Sequence, residues 1–448
     1  MNRLTFLLVA TLTLMAAAPV SAQIGGLPGG AGLPGVSVPG GLPADLPGRG
    51  LPGELEGTVR GRVNEVLQAP SRIMRMVRQS NGALEADPQG WPAVRGEIVA
   101  VDLSAGARER ALAEGFTVIR EERLADLEMT VVVLAPPRGR SLRQGVERLR
   151  RIDPDGAYDY NHVHAPAGEM DGRAVALEPA AIAVPAPQAT GRRIGLIDTG
   201  VDTGHPSLAG VRVVQRGFAG TVTPGRHGSA VASLLAGQAG GFSGAAPGAT
   251  LYAADVYGAG PAGGTAEGLA RALSWMAENN VPVVNVSLVG PRNAVVEAAV
   301  RRLTARGHIV VAAVGNDGPA APPLYPASYP GVVGVTGVNA RDRVLPEAGR
   351  GSQVDFAAPG ADMAAAAMGG GYTGVRGASF ASPLVAGLLS ARLAQPNAGR
   401  AQAAVSGLAG EARDLGARGA DPVYGRGLVG GSLRVAPAAV GARGQLDR

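Results

Sequence analysis

From Arg193 onward the chain alternates short apolar runs with Ala-rich segments of helical length, and few architectures accept that alternation. Runs at residues 194–197, 251–256, 281–286, 309–313 and 332–338 predict strands. Residues 227–236, 265–278, 293–306 and 379–394 predict helices. Strands that are apolar along their whole length need cover on both faces, so the pattern implies an α/β fold: a parallel sheet with helices on both sides. In such sheets ligands gather beyond the carboxyl ends of the strands, where Asp198, Ser287 and Asn316 all fall.

The 448 residues leave room for more than one domain. With 46% apolar residues, 69 glycines and only 4% aromatics, the composition suits a small-residue α/β core better than a disordered chain. All 41 basic residues are arginine, and the 36 acids are spread among them, so a formal charge of +5 makes no case for nucleic acid binding. There is no cysteine, which excludes thiol catalysis, disulfides and thiolate metal sites.

Arg3, the apolar run at 4–18 and the small-residue pattern Val20-Ser21-Ala22 read as a signal peptide over residues 1–22. The protein is therefore expected in the periplasm or outside the cell, and no other stretch is long and apolar enough to span a bilayer. Residues 23–54 repeat Leu-Pro-Gly from Leu27, Leu33, Leu46 and Leu51 without a strict three-residue period. They read as a flexible linker rather than collagen, with an adhesive role as the competing reading. From Leu55 to Val77 apolar residues (Leu55, Val59, Val63, Val66, Leu67) recur at helical spacing, interrupted at Pro70, and an ordinary docking helix with an arginine-rich solvated face is a better reading than a membrane-surface helix.

Residues 96–165 predict strands at 97–103, 117–123, 129–134 and 157–164, with helices at 105–114 and 141–151. The order β-α-β-β-α-β is that of a small ferredoxin-like α+β unit, and it carries no catalytic constellation. His162 and His164 lie two apart on one strand face, but with no further ligands nearby a polar strand end is the better reading than a metal pair. Residues 166–190, rich in Ala, Pro and Gly, read as a linker.

Three further stretches carry chemistry. Asp198 ends an apolar run at Asp198-Thr199-Gly200, His227 opens one small-residue helix, and Ser379 opens another at Gly377-Ala378-Ser379. A serine hydroxyl needs a base near neutral pH, which His227 can supply, and the imidazole needs a carboxylate to fix its tautomer, which Asp198 can supply. Each residue has a plainer reading, as turn, helix start or cap, but those readings leave the joint order Asp, His, Ser unexplained. With these motifs, residues 193–430 resemble the subtilisin-like serine proteases, the subtilase family.

The resemblance implies a subtilisin-like catalytic domain at 193–435, a linker at 168–192, a propeptide-like α+β domain at 55–167 and a mobile tail at 436–448. It implies a secreted serine endopeptidase made as a self-processing precursor, cut between Tyr158 and Gly168. It puts Asn316, in Gly315-Asn316-Asp317-Gly318, in the oxyanion hole. It makes Ser287, Leu288, Val289 and Gly290 the strand that pairs with substrate, with Val314 and Gly315 as an apolar wall and residues 257–265 as a flexible loop opposite. Val289 stands where the family usually has glycine, which narrows the pocket toward a small or medium apolar residue before the cut.

Departures bear on cofactors. Ser207 stands where many members carry a calcium-binding aspartate, and the loop at 237–244 is short, so no calcium or other cofactor is expected. The expected partners are polypeptide substrates and the chain's own propeptide as an intramolecular inhibitor, around a monomer. The competing reading is a protease-shaped binding or inhibitor protein that no longer turns over.

Overall fold

The computed structural model describes residues 69–167, 169–170, 191–260 and 262–441. The signal-like segment, the Leu-Pro-Gly stretch, the first part of the docking helix and residues 171–190 lie outside them. No helix among the described residues is long and apolar enough to cross a membrane.

The apolar runs assemble into a seven-stranded, all-parallel sheet. Its order is Phe356–Pro359, Val332–Val338, Ile309–Ala313, Val283–Val286, Arg193–Asp198, Thr250–Asp255, Val213–Gly217. Alternate strand residues divide between two apolar clusters. Ile194, Leu196, Val283, Ile309 and Val311 pack under helices Arg226–Ala236 and Ala378–Ser390. Ile197, Val284, Val286, Val310 and Ala312 pack under Ala266–Glu278 and Ala294–Ala305. Each of the last two helices starts one residue after its expected first position, because Thr265 and Asn293 are N-caps whose side chains take the first free N–H groups. Chain order switches sides between neighbours Arg193–Asp198 and Val283–Val286, and a crevice opens at their carboxyl ends.

The N-terminal unit is an antiparallel sheet in which Ala157–His162, Pro92–Val101, Met129–Ala135 and Thr117–Leu124 lie side by side, as the ferredoxin-like order requires. A short strand, Leu84–Ala86, pairs with the start of Pro92–Val101 and was not foreseen. The apolar run Met129–Ala135 is explained by burial on both faces. Val132 and Leu134 meet the unit's own helices with Ile98, Phe116 and Leu149. Met129, Val131 and Val133 share a cluster with Leu273, Val296, Val300 and Leu303 of the large layer.

Polar contacts join the same surfaces. Asp159 accepts the Ala294 N–H at 3.0 Å and Asn161 accepts that of Glu267 at 3.2 Å, at the starts of the two helices. Residues 436–441, expected in a mobile tail, instead include a 3-10 turn, Pro437–Val440, with Val440 packed on the core.

Candidate active site

Asp198, His227 and Ser379 come together at the crevice from three elements: the end of a strand and the first turns of two helices. His227 Nδ1 lies 2.9 Å from both carboxylate oxygens of Asp198, and its Nε2 lies 3.1 Å from Ser379 Oγ. Asp198 is fully buried, and its Oδ1 also receives the Thr199 N–H at 2.7 Å. With a carboxylate on Nδ1, that nitrogen carries the proton and Nε2 faces the hydroxyl as an acceptor.

Ser379 does not cap its helix. Gly377, at φ 136°, occupies the cap position, so the Ser379 hydroxyl is left to face His227. Pro383 lies four residues on and has no N–H to give, which frees the Ser379 carbonyl. Ser287 Oγ donates to that carbonyl at 2.9 Å, and Asn285 Nδ2 donates to Ser287 Oγ at 2.8 Å. Ser287 thus braces the helix start with its side chain and offers only its carbonyl to the cleft. Asn285 was missed, although a lone amide in the apolar strand Val283–Val286 is a signal the sequence does carry.

The chain itself occupies the cleft. Ala165–Pro166 pair antiparallel with Leu288–Val289, and beyond Ala167 residues Glu169–Met170 pair with Val375–Arg376. On the opposite side the His164 N–H donates to the Gly264 carbonyl at 2.8 Å, and Tyr257 Oη donates to the His164 carbonyl at 2.7 Å. The inserted strand is therefore held from both sides, by Leu288–Val289 and by the 257–265 loop.

Ala167 is fixed at both ends of its backbone. Its N–H donates to the Ser287 carbonyl at 3.1 Å, and its own carbonyl accepts from the Ser379 N–H at 3.3 Å and from Asn316 Nδ2. The Ala378 N–H donates to Asn316 Oδ1 at 3.0 Å, which orients the amide with its nitrogen toward Ala167. Leu288, Val289 and Val314 are buried in the same apolar cluster as Ala167, and Gly315 adopts φ 93° beside them. Leu324 belongs to that cluster too; the sequence reading missed it, since nothing local marks which loop residue turns inward.

Gly290 exchanges both backbone hydrogen bonds with Tyr325, at 2.9 and 3.0 Å. Its face without a side chain lies against the ring of His164, where an added Cβ would come within 2.5 Å of the imidazole. His164 is wholly buried and neither ring nitrogen has a hydrogen-bond partner. Burial, helped by neighbouring His162 and opposed by the Gly264 backbone, pushes its pKa down to about 3. His162 is placed apart, with Nε2 3.0 Å from Asp87 Oδ2 and Nδ1 3.0 Å from Asn293 Nδ2, so the two histidines form no common site.

Ser207 is buried with its hydroxyl 2.8 Å from His205 Nδ1, and His205 Nε2 meets the Gly371 carbonyl at 2.6 Å. The described residues contain no group of three or more His, Cys, Asp or Glu side chains arranged to hold a metal ion.

A parallel sheet with a hydroxyl, imidazole and carboxylate in line at its carboxyl edge defines a class of hydrolase-like fold, and the comparisons narrow it. The sequence model of the subtilase family, peptidase S8, matches residues 189–427, just over half of the chain, and the chain belongs to that family. It is 32% identical to Subtilisin E of Bacillus subtilis (strain 168) over 204 residues, covering 44% of this chain and 53% of that one. It is 35% identical to Subtilisin Savinase of Lederbergia lenta over 204 residues, again 44% of this chain and 74% of that one. For most of these curated relatives the match spans about half their length. The fold is similar to the crystal structure of fervidolysin from Fervidobacterium pennivorans, a keratinolytic enzyme related to subtilisin. The TM-score is 0.63 at 19% identity, over 79% of this chain and 62% of that one, so the likeness in fold reaches beyond the family-matched residues.

Proposed function

We propose that the protein is a serine endopeptidase, exported by residues 1–22 and made as a precursor that cuts itself between Ala167 and Gly168. The observation that carries this reading is the seating of Ala167. Its carbonyl receives the Asn316 amide and the Ser379 N–H, while the Ser379 hydroxyl faces His227 and Asp198 backs the imidazole.

His227 Nε2 takes the Ser379 proton as Oγ bonds to the Ala167 carbonyl carbon. The negative charge that develops on the carbonyl oxygen is met by two donors already in place, so little reorganisation is needed. His227 then gives its proton to the departing Gly168 nitrogen, the peptide bond breaks, and Ala167 remains as an ester on Ser379. Water, deprotonated by the same imidazole, releases the acid and restores the hydroxyl. Asp198 stabilises the imidazolium throughout.

Other polypeptides would enter the same cleft as an added strand, held through main-chain bonds by residues 287–289 and 264. Before the cut the last residues of the propeptide-like domain at 55–167 occupy that groove as an intramolecular inhibitor, and they block it until the cut unit leaves. A fluorophosphonate probe tests the chemistry: the processed protein should carry one adduct, on Ser379, and Ser379→Ala should carry none. An unlabelled, fully processed wild type would favour the inactive binding protein instead.

A further inference from the structure

The cleft holds a second feature, at the side chain of the residue before the bond. Ala167 cannot turn, since its N–H and carbonyl are both bonded. Ala167 is 2% exposed, within the cluster that contains Val289, Val314 and Leu324. Gly315, which follows Val314 of that cluster, is closely walled. A Cβ built on Gly315 would come within 2.5 Å of Leu324 Cδ1 and 3.6 Å of Val289 Cγ1, so these two side chains converge on the space beside the glycine. Both are almost fully buried, at 3% and 5% exposure.

Leu324 is also held from behind. Its carbonyl accepts from the Ser328 N–H at 3.2 Å and from Ser328 Oγ at 2.7 Å, and the next residue, Tyr325, is bonded twice to Gly290. These bonds fix the backbone of Leu324, and close packing around its buried side chain restricts the rotamers it can adopt.

We infer that Leu324, with Val289, closes the pocket to anything larger than a methyl group, so that the enzyme cuts after alanine or glycine and rejects leucine and phenylalanine. This deepens the proposed function and rests on it. Leu324 determines specificity without touching the reacting atoms. Packed interiors resist added methylenes, and each one mismatched in an apolar pocket is worth about 10- to 200-fold in kcat/KM.

The test uses the processed enzyme and the peptides N-acetyl-His-Ala-Pro-Xaa p-nitroanilide, with Xaa Ala, Leu or Phe, copying residues 164–166. The wild type should prefer Ala over Phe by on the order of 100-fold or more in kcat/KM. Leu324→Gly should bring the two within about tenfold, chiefly by gaining on Phe. Leu324→Ala should give an intermediate ratio, and it serves if the glycine variant does not fold. Fluorophosphonate labelling of Ser379 counts active sites in every sample. Labelled wild type that cuts after Phe as fast as after Ala overturns the inference. So does labelled wild type that cuts none of the three, or a ratio unmoved by both substitutions. Absence of both label and turnover contradicts the proposed function itself.

Discussion

Asn316 serves two partners with one amide. Its oxygen takes the Ala378 N–H and its nitrogen reaches the Ala167 carbonyl, so the donor is aimed before substrate arrives. Replacement by alanine removes a donor that matters most as charge builds on the carbonyl oxygen. The loss should therefore fall on kcat, with KM little changed. The corresponding amide in subtilisin sets the scale, about 100- to 1,000-fold in turnover, and steady-state hydrolysis of the Ala peptide by Asn316→Ala measures it. At this scale the sequence was a good guide to identity and a poor one to support. Asp198, His227 and Ser379, which the structure brings together, stand out because the order of reactive side chains is visible in one dimension, whereas Asn316 entered only through the family resemblance. The supports are contacts between residues far apart in the chain. Ala378 steadies an amide 62 positions earlier, and Ser287 braces a carbonyl 92 positions later. Leu324 matters only because a loop brings it beside Gly315.

Among elements, strand Met129–Ala135 shows what periodicity can and cannot tell. Its unbroken apolar run says that both faces are buried, but not that one face is buried by the unit's own helices and the other by Ala266–Glu278 and Ala294–Ala305. Met129 is fully buried on the second face. Met129→Ala should weaken the structure by about 2–5 kcal/mol, the usual cost of such a truncation, mostly in the docking of the N-terminal unit. The check is the urea concentration at which the cut fragment separates from the processed protein on gel filtration, which should fall. Elements that escaped the sequence reading did so for local reasons. Strand Met363–Ala366 is three-quarters alanine, a helix former, and becomes a strand only by pairing with Tyr372–Arg376. Helix Ala398–Gly410 holds three glycines that weaken any helical reading. Edge strand Val213–Gly217 is partly exposed and includes Gln215 and Arg216, so it lacks the fully apolar run of the central strands.

Across the whole molecule, the N-terminal unit covers helices Ala266–Glu278 and Ala294–Ala305, and its end, Ala165–Pro166, lies in the cleft. Arg302 pairs with Asp102 at 2.5 Å, Arg306 with Glu128 at 2.6 Å and Arg271 with Glu122 at 2.7 Å. Such solvent-accessible pairs contribute about 0–1 kcal/mol each. These exposed pairs add little to the hold on the unit, which also rests on apolar contact, the added strand and the partly buried Arg120–Glu267 pair. The proposed cut after Ala167 would turn this arrangement into two chains. The most direct test is the intact mass of the purified protein beside Ser379→Ala. The wild type should yield one fragment ending at Ala167 and one beginning at Gly168, and the variant should stay joined across that bond. A wild type cut elsewhere, or a variant cut at the same bond, would contradict self-cleavage at the seated alanine.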